Sequence, residues 1–125
     1  MSKSMRTIEE EQSLQKDSAK EWLQHYLTLL TRHGGSDLFL KPGAPLCARL
    51  NGDVVQISER ILTKEDMEYF AREFLKEKFG EFVTNKDIDI AFSIEDVGRF
   101  RVNFFQQIDG ISAVFRVIPS HIQTI

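Results

Sequence analysis

The chain has 125 residues and a mass of 14.5 kDa, with 42% apolar and 28% charged residues, which suits one domain with a single core. Lys and Arg number 16 against 19 Asp and Glu, for a formal charge of -3 and a pI of about 5.6; that balance argues against a general nucleic-acid binder, which carries a basic stripe. The mean hydropathy of -0.26 comes with no run approaching the roughly 20 apolar residues of a membrane helix, residues 1–21 lack the apolar centre of a signal peptide, and the single cysteine, Cys47, cannot form an internal disulfide, so the expected location is the cytoplasm.

Residues 1–17 are polar with scattered charge and read as an arm or a helical extension; residues 18–125 read as the domain. From Ser18 the pattern is helical. Trp22, Leu23, Tyr26, Leu27 and Leu30 recur at three- and four-residue steps and make one apolar stripe. His33-Gly34-Gly35 ends that helix, because glycine suits the left-handed C-terminal cap. An extended run follows from Asp37 to Lys41, then a turn at Pro42-Gly43-Ala44-Pro45. A strand from Cys47 to Leu50 leads into Asn51-Gly52, a strong hairpin signal, and Val54-Val55-Gln56 reads as a short return strand. Thr63 opens a second helix with Asp66 three residues on, in the manner of a capping box. Met67, Phe70, Ala71 and Phe74 share its apolar face, Gly80 is expected to break it, and a short turn or helix is expected from Glu81 to Thr84.

The last third reads as a three-stranded meander. Ile88, Ile90, Phe92 and Ile94 alternate with polar or small residues, as do Phe100, Val102 and Phe104, and then Ala113, Phe115 and Val117. Register follows from matching these faces, since a one-residue slip would turn every side chain over. A loop at Ile108-Asp109 pairs Phe100 with Val117, Val102 with Phe115 and Phe104 with Ala113, which sets Arg101 opposite Arg116. A loop at Glu95-Asp96-Val97 pairs Phe92 with Phe100 and Ile90 with Val102, placing Ala91 beside Arg101 and Asp89 beside Asn103.

The face away from the core thus gathers Asp87, Asp89, Arg99, Arg101 and Arg116. Two like charges directly opposite on a sheet repel, so the facing arginines need a partner. Two readings stay open on pattern alone. Asp87 and Asp89 neutralise the arginines on a solvated face, or the arginines form an anion site, for which guanidinium suits phosphate bidentately. The Asp87-x-Asp89 pair could also hold Mg²⁺ with waters, although salt bridging to the arginines is the more common use. No GxxxxGK[ST] loop and no GxGxxG is present, so the chain has no phosphate cradle of either kind. His25, His33 and His121 are scattered and define no metal site. His33 sits at a helix end, where a positive charge helps the dipole.

The ordered segments resemble a known family. These are Gly35-Ser36-Asp37-Leu38-Phe39-Leu40 after an amphipathic helix, Pro42 to Pro45, Arg49-Leu50-Asn51-Gly52-Asp53, Asp87 to Phe92, Gly98 to Asn103, and Ala113 to Pro119. Together they look like the N-terminal domain of type IV pilus twitching-motility (retraction) ATPases of the PilT/PilU type, within the secretion-ATPase superfamily, over about residues 20–125. The resemblance implies an α+β, PAS-like domain: an antiparallel sheet with helices packed on one face. It implies a following RecA-like domain with the Walker motifs, joined by a linker beginning near Ile125. The chain itself is then not an ATPase. Its parent would be, with ATP and Mg²⁺ as cofactors, in a cytoplasmic homo-hexamer beneath the inner membrane that meets a pilus platform protein, with no nucleic acid bound and no membrane insertion.

In this superfamily, arginines of the N-terminal domain approach nucleotide held by the RecA-like domain. The family's RVN-type and VFR-type arginines match Arg101 and Arg116; Arg99 is a third candidate on the same face. Asp87 and Asp89 would orient them or touch a neighbouring subunit, and Asp37 is expected to be structural or interfacial. Retraction motors often carry S-D-L-H-L; Phe39 replaces that histidine here, which tilts the subtype towards PilU. The alternatives are a stand-alone PAS-like sensor for a small ligand and an adaptor for a partner ATPase.

Overall fold

The computed structural model describes residues 19–119. The polar arm over residues 1–17, the helix start at Ser18, and His121 lie outside the described residues. Helix α1 (Ala19–Arg32) turns Leu23, Leu27 and Leu30 inward, as the spacing requires. It ends in a Schellman motif: Gly35 N–H donates to Leu30 O at 2.8 Å and Gly34 N–H to Thr31 O at 3.1 Å, with Gly34 at φ 72°. His33 stands at this helix end, its Nδ1 2.9 Å from Leu29 O.

Strands β1 (Asp37–Leu40), β2 (Pro45–Leu50) and β3 (Asp53–Ile61) follow. Asn51 and Gly52 join β2 to β3 with φ of 54° and 85°, the left-handed pair that matches strand twist. β3 is much longer than the short return strand that Val54-Val55-Gln56 suggests. Its ladder slips between Pro45 and Cys47, so Pro45 pairs with Ile61 while Cys47 pairs with Gln56. Pro45 has no N–H to donate, and the extra β3 residues form a bulge. There the buried Ser58 hydroxyl accepts the Leu46 N–H at 3.1 Å in place of a ladder carbonyl. This local repair lets polar residues run through a strand.

Helix α2 (Lys64–Leu75) has the capping box read from Thr63 and Asp66, and Met67, Phe70, Ala71 and Phe74 are all buried. It does not run on to Gly80. It stops at Leu75, where Lys76 takes φ 52°. A 3₁₀ turn (Lys76–Lys78) leads into α3 (Phe79–Asn85), which contains Gly80. The break re-aims the chain so that Phe82 is buried against Phe104, ring centroids 6.4 Å apart.

The meander is β4 (Asp87–Ile94), β5 (Gly98–Gln107) and β6 (Gly110–Ile118). Both registers match the face-matching argument: Phe92 opposes Phe100, Val102 opposes Phe115, and Arg101 opposes Arg116. The sheet is six-stranded and antiparallel, in the order β3-β2-β1-β6-β5-β4. Strand β1 is therefore the seam, flanked by β2 and β6. Inward side chains of the sheet meet α1, α2 and α3 in a single core. The fold is α+β with the helices on one face. The other face carries no helix among the described residues, and the charged side chains stand on it.

Candidate functional site

One row of cross-strand neighbours organises the open face. Arg49 on β2 opposes Asp37 on β1, Asp37 opposes Arg116 on β6, and Arg116 opposes Arg101 on β5. The sequence pattern brings Arg101 and Arg116 together, and the structure keeps them so. It does not supply the expected compensation from Asp87 and Asp89. Arg116 instead donates from Nε to Asp37 Oδ1 at 2.9 Å, and Arg49 donates from Nε to Asp37 Oδ2 at 3.2 Å. Asp87 accepts from Asn103 Nδ2 at 2.7 Å. Among the described residues no ion pair within 4.0 Å involves Asp87, Asp89, Arg99 or Arg101. For Arg116 the reason is topological. β4 is separated from β6 by β5, whereas β1 lies directly beside β6.

Asp37 is well held. Its side chain is 11% exposed, whereas those of Arg116 and Arg49 are 68% and 42% exposed. The Ser36 hydroxyl donates to Asp37 Oδ2 at 2.9 Å. The backbone of Ser36 is pinned on both sides: its N–H donates to Arg49 O at 3.1 Å and its carbonyl accepts from Val117 N–H at 3.0 Å. Burial alone would raise the Asp37 pKa, but the Arg116 and Ser36 hydrogen bonds, the charge of Arg116 and the Arg49 bond together hold it below its usual value. A carboxylate with a lowered folded pKa adds stability above its unfolded pKa and loses it as pH falls through the folded one. Acid unfolding scans of the wild-type chain and of Asp37→Asn should therefore converge below the ordinary aspartate range and separate above it, the wild type being the more stable. Parallel curves across the whole range would show that the Asp37 charge does not contribute.

Arg101 and Arg116 line a shallow depression of about 380 Å³ with Asp87, Asp89, Asn103 and Val114. Arg99 shares the face but opposes Ser93 and Ile118 and stands outside this lining. The depression is bipolar, with carboxylates along the edge strand β4 and guanidiniums towards the sheet centre. Among the described residues no group of three His, Cys, Asp or Glu side chains comes together as a metal site. Arg49 was absent from the candidates read in the sequence. Its signal was its alternation with the inward Leu46, Ala48 and Leu50.

An antiparallel sheet covered by helices on one side is a fold shared with solved ATPase structures. The Legionella pneumophila ATPase DotB superposes with a TM-score of 0.70 at 22% identity over 79% of this chain and 29% of that one. The pilus retraction motor PilT, crystallised with bound ADP, superposes with a TM-score of 0.69 at 25% identity over 78% of this chain and 29% of that one. In sequence, the chain is 36% identical to the type IV pilus retraction ATPase PilT of Pseudomonas aeruginosa over 102 residues (78% of this chain, 29% of PilT) and 32% identical to the type IV pilus ATPase PilU of the same organism over 100 residues (79% and 26%). The chain is a homologue of PilT and PilU, and it matches the N-terminal domain of a pilus-retraction ATPase. No protein-family model matches it. The chain spans less than a third of the length of these relatives, 29% and 26%. The tilt towards PilU drawn from Phe39 gains no support, since identity to PilT is 36% against 32% to PilU.

Proposed function

We propose that this chain is the PAS-like, nucleotide-sensing and oligomerisation domain of a hexameric pilus-retraction ATPase. In this reading Arg101 and Arg116 reach ATP held by a RecA-like domain, with Arg99 at the margin. The observation that carries it is the facing pair itself, Arg101 opposite Arg116 on an uncovered sheet face. Two guanidiniums side by side repel, Asp37 pairs with only Arg116 of the two, and a triphosphate supplies further negative charge. The residues present suit the phosphates, while Mg²⁺ would arrive with ATP on the RecA-like side. Bound ATP would supply the phosphoanhydride chemistry; this domain's part is to recognise charge and to link its own orientation to nucleotide occupancy. Asp87 and Asp89, at the sheet edge, suit contact with a neighbouring subunit. The parent then works in the cytoplasm against an inner-membrane platform protein; among the described residues no helix is long and apolar enough to cross a membrane.

A small-ligand sensor is less well supported. The apolar cleft between the end of α1 and the β2–β3 edge, lined by Tyr26, Leu29, Leu30, His33, Leu50 and Ile57 among others, measures about 220 Å³. Pockets that bury a drug-sized ligand run roughly 300–1,000 Å³. The test of the leading reading is nucleotide binding by a chain that joins this domain to a RecA-like domain. Arg101→Gln and Arg116→Gln should each weaken ATP binding about tenfold or more, the effect of one lost charge-assisted contact. Unchanged affinity in both variants would refute the assignment.

A further inference from the structure

We infer that Arg49 is a third anion-gripping residue of this face, and that Asp37 is the positioning residue that presents Arg49 and Arg116 together. The inference rests on the anion-binding reading of Arg101 and Arg116 and extends it by two residues on other strands.

The two arginines meet Asp37 through the same nitrogen. Guanidinium carries five N–H donors in a fixed plane. Asp37 engages each arginine through Nε, with Oδ1 taking Arg116 at 2.9 Å and Oδ2 taking Arg49 at 3.2 Å. Nε is the inner donor, and among the described residues no hydrogen bond engages the four terminal N–H donors of either guanidinium. Both side chains keep substantial exposure, 68% for Arg116 and 42% for Arg49, while the carboxylate between them is only 11% exposed. A fork–fork salt bridge engages two N–H donors of one guanidinium, whereas each arginine here gives one donor to one carboxylate oxygen. Here the carboxylate grips the stems and leaves the prongs outward.

The second element is rigidity. Asp37 opens β1, and backbone hydrogen bonds tie the preceding residue to β2 and β6 at once. Arg49 is also laid over the Phe39 ring, its guanidinium carbon 5.5 Å from the centroid, a contact that favours a cation and restricts the side chain. Pre-ordered side chains lose less entropy on binding, so the same contacts give tighter association. Charge adds a third element. The row Arg49–Asp37–Arg116–Arg101 holds three guanidiniums and one carboxylate. It therefore keeps a net positive charge even with Asp37 ionised. The chemistry that fits is a polyphosphate, because the arginines stand on β2, β6 and β5, three strand gaps of roughly 4.8 Å from first to last.

The test uses the 125-residue chain, inorganic tripolyphosphate and ATP as probes, and the ¹H–¹⁵N signals of arginine Nε–H. In the wild type the Arg49 and Arg116 Nε–H signals should be protected from exchange, and both should shift with Arg101 on titration. Arg49→Gln should raise the dissociation constant roughly tenfold. Asp37→Asn is the discriminating variant. It adds one unit of positive charge, so simple electrostatics predicts tighter binding. Positioning predicts weaker binding, with loss of Nε–H protection at both arginines. Tighter or unchanged binding in Asp37→Asn overturns the positioning role. Wild-type affinity in Arg49→Gln, alongside weakened binding in Arg101→Gln and Arg116→Gln, overturns the Arg49 assignment and leaves the proposed function standing. If none of the arginine variants changes affinity, both fall. Arg49 is exposed enough for its variant to fold even if Asp37→Asn does not, and that variant then decides.

Discussion

Replacing Phe115 by alanine is expected to cost the domain about 4 kcal/mol, within the range for a fully buried phenylalanine. Phe115 has no exposed surface. Its ring meets Phe74 at 5.4 Å, Phe92 at 6.0 Å and Phe104 at 6.1 Å between centroids. Those partners come from α2, β4 and β5, so one side chain joins a helix to two neighbouring strands. Alanine would remove the ring from the middle of this cluster. For a domain of about this size the midpoint should fall by roughly 15 °C. Phe115→Leu keeps most of the volume and should cost only about 1–2 kcal/mol. The measurement is chemical denaturation of the three chains with a shared slope. A loss under about 1 kcal/mol for alanine would mean that the ring cluster is not what fixes β6. The consequence reaches the site, because Phe115 points inward one residue before Arg116 points outward. The packing that locks one sets the direction of the other.

The same coupling explains what the sequence revealed. In the meander each strand alternates without interruption and each loop is short, so matching apolar faces admits a single register. Arg101 opposite Arg116 is a by-product of burying Phe100, Val102, Phe104 and Phe115. The partner of Arg116 could not be read that way. Asp37 lies 79 positions away, and nothing local in Asp37-Leu38-Phe39-Leu40 says which strand it pairs with. A carboxylate opening an otherwise apolar strand suits a facing cation, but the carboxylates of β4 lie nearer to Arg101 and Arg116 in sequence and are the ones the pattern brings forward. The length of β3 was hidden for a different reason. Its inward Ser58 looks like the end of a strand until its hydroxyl is seen to replace a ladder acceptor for Leu46. Gly80 does not end α2; the break falls at Lys76, which takes φ 52°. Tertiary demand for Phe82 in the core outweighed local preference.

Asp66→Ala should be the second most damaging change, at about 3 kcal/mol or more. Part of Asp66 was legible. It was expected at the third position of a capping box, and its Oδ2 does accept the Thr63 N–H at 2.9 Å while Thr63 Oγ1 accepts the Asp66 N–H at 3.0 Å. Capping alone is worth about 1 kcal/mol. The remainder comes from a contact that spacing did not suggest: Arg60 Nη2 donates to Asp66 Oδ1 at 3.0 Å, with the two side chains only 12% and 1% exposed. Removing one partner of a buried pair costs roughly 3–5 kcal/mol, because the other charge stays in a poorly solvated place. Arg60 also lies over the Trp22 ring at 5.5 Å, so Asp66 links the end of β3, the start of α2 and the face of α1. Thr63→Ala, which removes only one cap bond, should cost about 1 kcal/mol by comparison. Urea unfolding of the two variants separates the contributions. If Thr63→Ala is as damaging as Asp66→Ala, the cap dominates and the buried ion pair adds nothing. If Asp66→Ala is clearly worse, the pair with Arg60 is what seats α2 on the sheet, on the side away from the arginine row.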